Sequence, residues 1–205
     1  MITEIGKHKV CLASVEAPIV DKLFADGRKA AIFYSDPPWG DGNLKYWVTM
    51  RKKMTGVESA PLSYDALLAR IMGLIHHHVS GHVFIETGCR WGDKVANVFM
   101  SAGLHNVRQH PSVYRSGSRI LPEVIVSAGT APNLREAVVA PDIMGVDLVK
   151  SVISQVATPG GIAFDPCCGM GYTARGAVYA GMEFRGNEFN AVRLAKTIKF
   201  LEQHG

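Results

Sequence analysis

The run GIAFDPCCGMGYT, residues 161–173, decides how this chain is read. Its opening, GIAFD (161–165), is apolar up to the acid and predicts a short buried strand. Gly169 and Gly171 then permit a tight turn and close approach of backbone to a ligand. A helix is expected from near Thr173 to Gly181, where glycine can end it. A strand, a glycine turn and a helix N-terminus together form a common cradle for a nucleotide-like cofactor. Alone, the pattern fits plain strand–helix geometry equally well. The next strand strengthens it: MEFRGNE (182–188) ends on Asn187 and Glu188, and an acid there can accept hydrogen bonds from both hydroxyls of a ribose. For Glu188 the plain alternative is a solvated helix cap. No Gly-Lys-Ser/Thr follows the glycines, which argues against a nucleoside triphosphatase.

Upstream, AAIFYS (30–35) predicts a second apolar strand that runs straight into Asp36-Pro37-Pro38-Trp39. Ligands of open α/β sheets bind beyond the carboxyl ends of the strands. Two prolines stiffen such a turn, so the Asp36 carboxylate and the Pro37 carbonyl become fixed acceptors. A primary amino group offers two hydrogens and suits them. On an aromatic ring its lone pair is delocalised and poorly nucleophilic. Holding both hydrogens favours a tetrahedral nitrogen, and preorganised acceptors stabilise the positive charge that develops there on alkylation. Trp39 adds a flat face for stacking a base, worth roughly 1–3 kcal/mol. The plain alternative is a surface turn with a buried Trp.

Elsewhere strands and helices alternate, which predicts an α/β fold with a mostly parallel sheet. KVCLASV (9–15) and HVFIET (82–87) read as strands, and VRQHPSVY and ILPEVIVSA, joined by RSGS within 105–130, as an antiparallel hairpin. Helices are expected at 17–27, 92–103, 146–157 and 190–203. Another follows the cap Ser63, with Leu67, Leu68, Ile71, Leu74 and Ile75 on helical spacing. Gly40–Pro61 has glycines, basic residues and little periodicity, and is expected to be a mobile loop. The length of 205 residues suits a single domain, 1–205.

With 47% hydrophobic and 20% charged residues the composition is that of an ordinary globular protein. A net charge of +4 permits a polyanionic partner without requiring one. Cys11, Cys89, Cys167 and Cys168 show no CxxC spacing, and an adjacent pair seldom bridges, so all four read as free thiols in a reducing compartment. MITEIGKHKV is not a leader and no run is apolar enough to span a membrane, so a cytoplasmic location is expected. His76, His77 and His78 would diverge on a helix, so no metal site is predicted from them and His82.

Together, DPPW at 36–39 and DPCCGMG at 165–171 followed by Thr173 resemble the motifs of the S-adenosylmethionine-dependent amino-methyltransferases, which modify adenine N6 or cytosine N4 in nucleic acids. That family's cofactor motif is usually written DPFxGSGTT. The resemblance runs from Lys9 to about Lys199, and the catalytic motif comes first, as in the circularly permuted β-class. It implies a Rossmann-like methyltransferase fold, with a seven-stranded, mostly parallel sheet and a terminal antiparallel hairpin. It implies S-adenosylmethionine as cofactor, held by Asp165, Pro166, Cys167, Cys168, Gly169, Gly171, Thr173, Asn187 and Glu188. Catalysis falls to Asp36, Pro37, Pro38 and Trp39. The implied target is a flipped or single-stranded base, adenine N6 in DNA first. Cytosine N4, RNA adenine, a non-catalytic nucleic-acid-binding subunit and a small-molecule amino methyltransferase are the rivals.

The chain departs from the family at four places. Cys167 and Met170 stand where Phe and Ser are usual. Ala17 stands where an acid often binds the cofactor's adenine, with Glu16 beside it, and Met144-Gly145 replaces a Lys-Pro pair. Almost no residues remain for a separate target-recognition region. The 40–62 loop and the 105–120 hairpin are what remains, with Arg51, Lys52, Lys53, Arg115 and Arg119 as candidate phosphate contacts. Weak sequence selectivity, a homodimer or a partner subunit supplying recognition would follow.

Overall fold

The computed structural model describes residues 1–60 and 62–205. Along the chain lie β1 (Ile2–Ile5), β2 (His8–Leu12), β3 (Ala30–Ser35), α1 (Gly40–Thr55), α2 (Tyr64–His78), β4 (Val79–Thr87) and α3 (Gly92–Ser101). They are followed by β5 (His105–Ser116), β6 (Arg119–Gly129), α4 (Gly145–Val156), β7 (Ile162–Asp165), α5 (Tyr172–Tyr179), β8 (Glu183–Glu188) and α6 (Ala191–His204). The strands form one sheet in the order β1-β2-β8-β7-β3-β4-β6-β5. Five central strands, β2 to β4 in that order, are parallel, and β6 and β5 close one side as an antiparallel hairpin.

The expected seven strands are thus present, and β1 adds an eighth. It folds back antiparallel on β2, pairing Ile5 with His8 across a turn at Gly6. Its four residues are half-buried or exposed, so they carry little apolar signal.

Helices cover both faces. Leu67, Ile71 and Ile75 of α2 and Val95 and Phe99 of α3 pack on Phe33, Val83, Ile85 and Phe164. Leu148, Val152 and Ile153 of α4, Ala174 and Ala177 of α5, and Leu194 and Leu201 of α6 pack on Ile32, Tyr34, Ala163 and Phe184 of the opposite face. No helix among the described residues is long and apolar enough to cross a membrane.

Two expectations are corrected. The 17–27 segment is not an α-helix but a chain of three-residue turns with a short 3-10 helix at Asp21–Phe24. Val20 and Leu23, three apart and both fully buried, suit that tighter winding, in which i and i+3 eclipse. The 40–61 segment is not a loop: α1 occupies Gly40–Thr55 and ends on Gly56 in the left-handed region at φ 72°. Only Gly40 and Leu44 of this helix are buried, so it carries almost no apolar period. Pro61, the last residue of the expected loop, lies outside the described residues.

Candidate active site

The carboxyl ends of β3 and β7 lie side by side, with Ile32 and Phe33 paired to Ala163 and Phe164. From β3 the chain moves toward β4 and from β7 toward β8, in opposite directions along the sheet. Crevices open at such switch points. Both sequence motifs leave the sheet here, and the last residue of β3, immediately before Asp36, reaches the second motif: Ser35 Oγ donates to Asp165 Oδ1 at 2.7 Å.

Asp165 organises the glycine turn. It is 3% exposed, accepts the Cys167 N–H at 2.9 Å, and receives the Thr173 hydroxyl on Oδ2 at 2.7 Å. Burial nevertheless pushes its carboxyl up to about 7. Gly169 and Gly171 have φ of 54° and 83°, and neither has room for a side chain. A Cβ at Gly169 would lie 2.6 Å from Arg193 Nη2, and one at Gly171 2.8 Å from Thr197 Oγ1. Glu188, at the end of β8, is buried; its oxygens accept the Gly169 N–H at 2.8 Å and the Asn190 N–H at 2.9 Å. Each carboxylate oxygen keeps a further lone pair. The Cys167 and Cys168 thiols are pushed well above the usual range by burial and stay neutral.

Asn187 lies behind the turn. Its Nδ2 donates to the Pro166 carbonyl at 3.0 Å, its Oδ1 accepts from Cys11 Sγ at 3.2 Å, and its carbonyl accepts the Cys168 N–H. Its side-chain amide therefore holds Pro166, and its backbone carbonyl holds Cys168.

Asp36 faces the mouth of the crevice. Trp39 Nε1 donates to its Oδ1 at 2.9 Å, while Oδ2 has no hydrogen bond among the described residues. Asp36 is exposed at the opening, yet the protein crowded around it displaces enough water to raise the carboxyl to about 6, opposed by the Trp39 indole N–H and the charge of Arg193. Pro37 is buried and Pro38 half-buried. The Trp39 ring meets Tyr114 of β5 edge-on, centroids 5.0 Å apart.

Three groups at this crevice escaped the sequence reading. Tyr34 OH donates to Glu86 Oε1 at 2.8 Å, and Ser112 Oγ to Glu123 Oε1 at 3.2 Å, while Glu123 Oε2 is buried with no partner. Burial, then the nearby Asp36, raises Glu86 well above the carboxylate range and Glu123 to about 7. Arg193 of α6 is half-buried and lies 4.3 Å from the Trp47 ring centroid, against Gly169. Pairing of β4 with β6 brings the two acids together, and α1 encloses the arginine. An acid at an otherwise apolar strand end, HVFIET or LPEVIV, was the available signal.

Solved structures of other proteins share this architecture. The chain aligns with the crystal structure of M1.HpyAVI at a TM-score of 0.65 and 17% identity, covering 94% of this chain and 97% of that one. M1.HpyAVI has also been solved as a complex with SAM. TTHA0409 of Thermus thermophilus aligns at 0.64 and 15% identity, covering 96% and 95%. PvuII DNA methyltransferase, cytosine-N4-specific, aligns at 0.62 and 9%, covering 93% and 85%. At these identities the likeness is one of fold. The sequence matches no protein-family model and no curated protein.

The candidate phosphate contacts divide between two elements. On α1, Arg51 stacks 5.3 Å from the Phe189 ring with its Nε buried, Lys52 pairs with Glu58, and Lys53 is exposed. Arg115 and Arg119 are exposed at the tip of the hairpin, flanking Gly117. Of the histidines, His78 stacks on Phe24 at 4.6 Å and contacts Asp21 at 3.0 Å, a packing role.

Proposed function

We propose that this protein transfers a methyl group from S-adenosylmethionine to the exocyclic amino group of a nucleobase in DNA, adenine N6 being the favoured target. The observation that carries the reading is the juxtaposition of the two motifs at the switch point between β3 and β7, where Ser35, the strand residue immediately before Asp36, bonds Asp165. The fold shared with DNA methyltransferases, two of the solved neighbours being complexes with this cofactor, supports it.

The residues present fit the cofactor. Gly169 and Gly171 take the positive φ that bends the turn, and Glu188, which accepts the Gly169 N–H, is a buried acid with spare lone pairs suited to ribose hydroxyls. Cys167, Cys168 and Thr173 shape the same turn. Bound there, the cofactor supplies an electrophilic methyl group. Asp36 and the Pro37 carbonyl hold the two hydrogens of the amine, and Trp39 stacks on the base. With its carboxyl raised to about 6, Asp36 is largely ionised at neutral pH yet basic enough to take the proton that the alkylated amine sheds. Residues 1–205 act as a single domain, and a second copy or a partner subunit extends target recognition. Lys53, Arg115 and Arg119, all exposed, contact phosphates.

Incubation with labelled cofactor and DNA or RNA, followed by nucleoside mass spectrometry, tests the reading. N6-methyladenine in DNA is the expected product. N4-methylcytosine, the chemistry in the name of the PvuII enzyme, would replace adenine with cytosine. Cofactor binding without any methylated nucleoside would make the protein a non-catalytic subunit. Asp36→Ala should lower the rate about 100- to 1,000-fold, the usual loss for one preorganised group, with cofactor affinity nearly unchanged.

A further inference from the structure

We propose that the recess between the start of α1 and the segment after β4 binds an unreacting nucleotide, the neighbour of the target base in the same DNA strand. The inference rests on the DNA-methylation reading and adds a subsite to it. The recess is open, about 450 Å3 in volume, and lined by Trp39, Asp41, Asn43, Gly88, Arg90 and Trp91. That volume lies within the roughly 300–1,000 Å3 typical of small-ligand pockets.

Trp39 separates this recess from the crevice. The N–H edge of its indole bonds to Asp36, while the opposite edge rests on Gly88, where a Cβ would lie 3.1 Å from Cε3. None of Asp36, Asp165, Gly169 or Glu188 lines the recess. A base lodged there is cut off from the amine acceptors, so it is not the one that reacts.

The walls offer a nucleotide two indoles, a side-chain amide and one guanidinium. Trp91 is seated against Gly40, which takes φ 82° and where a Cβ would collide with the Trp91 ring. Two indoles therefore stand fixed on glycine backbone, and aromatic faces stack bases with little regard to sequence. Asn43 Oδ1 accepts the Trp39 backbone N–H at 3.2 Å, which orients the amide, and its Nδ2 has no protein partner among the described residues. That nitrogen can donate to a base oxygen or ring nitrogen. The exposed Arg90 lies 4.9 Å from the Trp91 ring and has no carboxylate within 4 Å among the described residues, leaving its guanidinium for a phosphate. The acid of the recess, Asp41, is occupied on Oδ1 by the Tyr64 N–H at 2.7 Å, at the start of α2.

Oligothymidine strands carrying one adenine provide the test, with 2-aminopurine replacing the adenine or the thymine on either side. Emission and affinity are read for the wild type, Trp91→Ala, Arg90→Ala and Asp36→Ala. The wild type should quench the probe at one neighbouring position. Trp91→Ala should abolish that quenching and weaken binding about 10-fold, while Asp36→Ala keeps it. Arg90→Ala, a surface change that spares the fold, should reduce the slope of log affinity against log salt by about 0.7. Wild-type affinity and quenching in both recess variants would overturn the subsite. So would loss of quenching in Trp91→Ala at the adenine position alone, which would make the recess the target pocket. A wild type that binds the strands but methylates none of them would fail the proposed reaction and leave the subsite standing. One that binds no strand would overturn both.

Discussion

The two ends of the parallel sheet treat charge in opposite ways. At the amino end Arg185 is fully buried, yet it bonds Asp26 at 2.5 Å, Glu183 at 2.6 Å and the Leu23 carbonyl at 2.8 Å, and Arg28 reaches the far side of Glu183. Arg185 holds the Asp26 carboxyl down at about 2. At the carboxyl end Asp36, Glu86, Glu123, Asp165 and Glu188 crowd one crevice, and every one of them is pushed above its ordinary range. Arg193 is the cation that offsets Asp36 and Glu188. The first set neutralises itself when the chain folds. The second keeps its protons to unusually high pH and ionises more readily when a positive ligand arrives, and perturbation of this kind concentrates at functional sites.

Breaking the paired end should give the largest effect. Arg185→Ala removes the main partner of Asp26 and leaves the buried Glu183 with Arg28 alone, and should cost about 3 kcal/mol in urea unfolding; a loss below about 1 kcal/mol would mean the amino end is not held by charge.

The pH dependence of stability should separate the two ends. Asp26, depressed when folded, contributes stability that is full above its unfolded value and is lost as pH falls toward 2. The raised acids act in the opposite sense: the native state retains their protons, so stability falls as pH rises from about 4 through 7. Melting in the absence of ligand should follow that fall, by about 2 kcal/mol or more, and Glu123→Gln should flatten it.

A smaller effect sharpens the comparison from the ligand side. If the crevice awaits a cation, affinity for S-adenosylmethionine, measured by calorimetry, should rise about 10-fold between pH 5.5 and 8. S-adenosylhomocysteine, which lacks the sulfonium charge, should rise much less. Equal slopes for the two would separate the acids from the cofactor. The smallest change is expected for Arg193→Gln: removing the offsetting charge should move the midpoint of that pH profile upward by under about one unit, with little change in melting temperature.

What was legible in the sequence is what the backbone enforces. Asp36-Pro37-Pro38-Trp39 and the glycines at 169 and 171 constrain φ locally, so their turns can be read without knowing their neighbours. The alternation of strands and helices placed the sheet for the same reason. Helix α1 escaped because its buried side is little more than Leu44, and most of what it meets, Phe189, Asn190 and Arg193, lies far along the chain. Missing α1 also hid Arg193, whose enclosure depends on Trp47. Glu86 and Glu123 were invisible as a pair because only the antiparallel register of β4 against β6 brings them together.

The strand order carries a consequence for biosynthesis. β3 pairs with β4 soon after both emerge, but its other side is completed only by β7, and β2 likewise waits for β8. While residues 162–188 are still unmade, the nascent chain carries two open strand edges, the feature most prone to wrong pairing. The half of the protein bearing Asp36 is therefore translated first yet meets the glycine turn last, when β7 slots between β3 and β8 and seals the sheet.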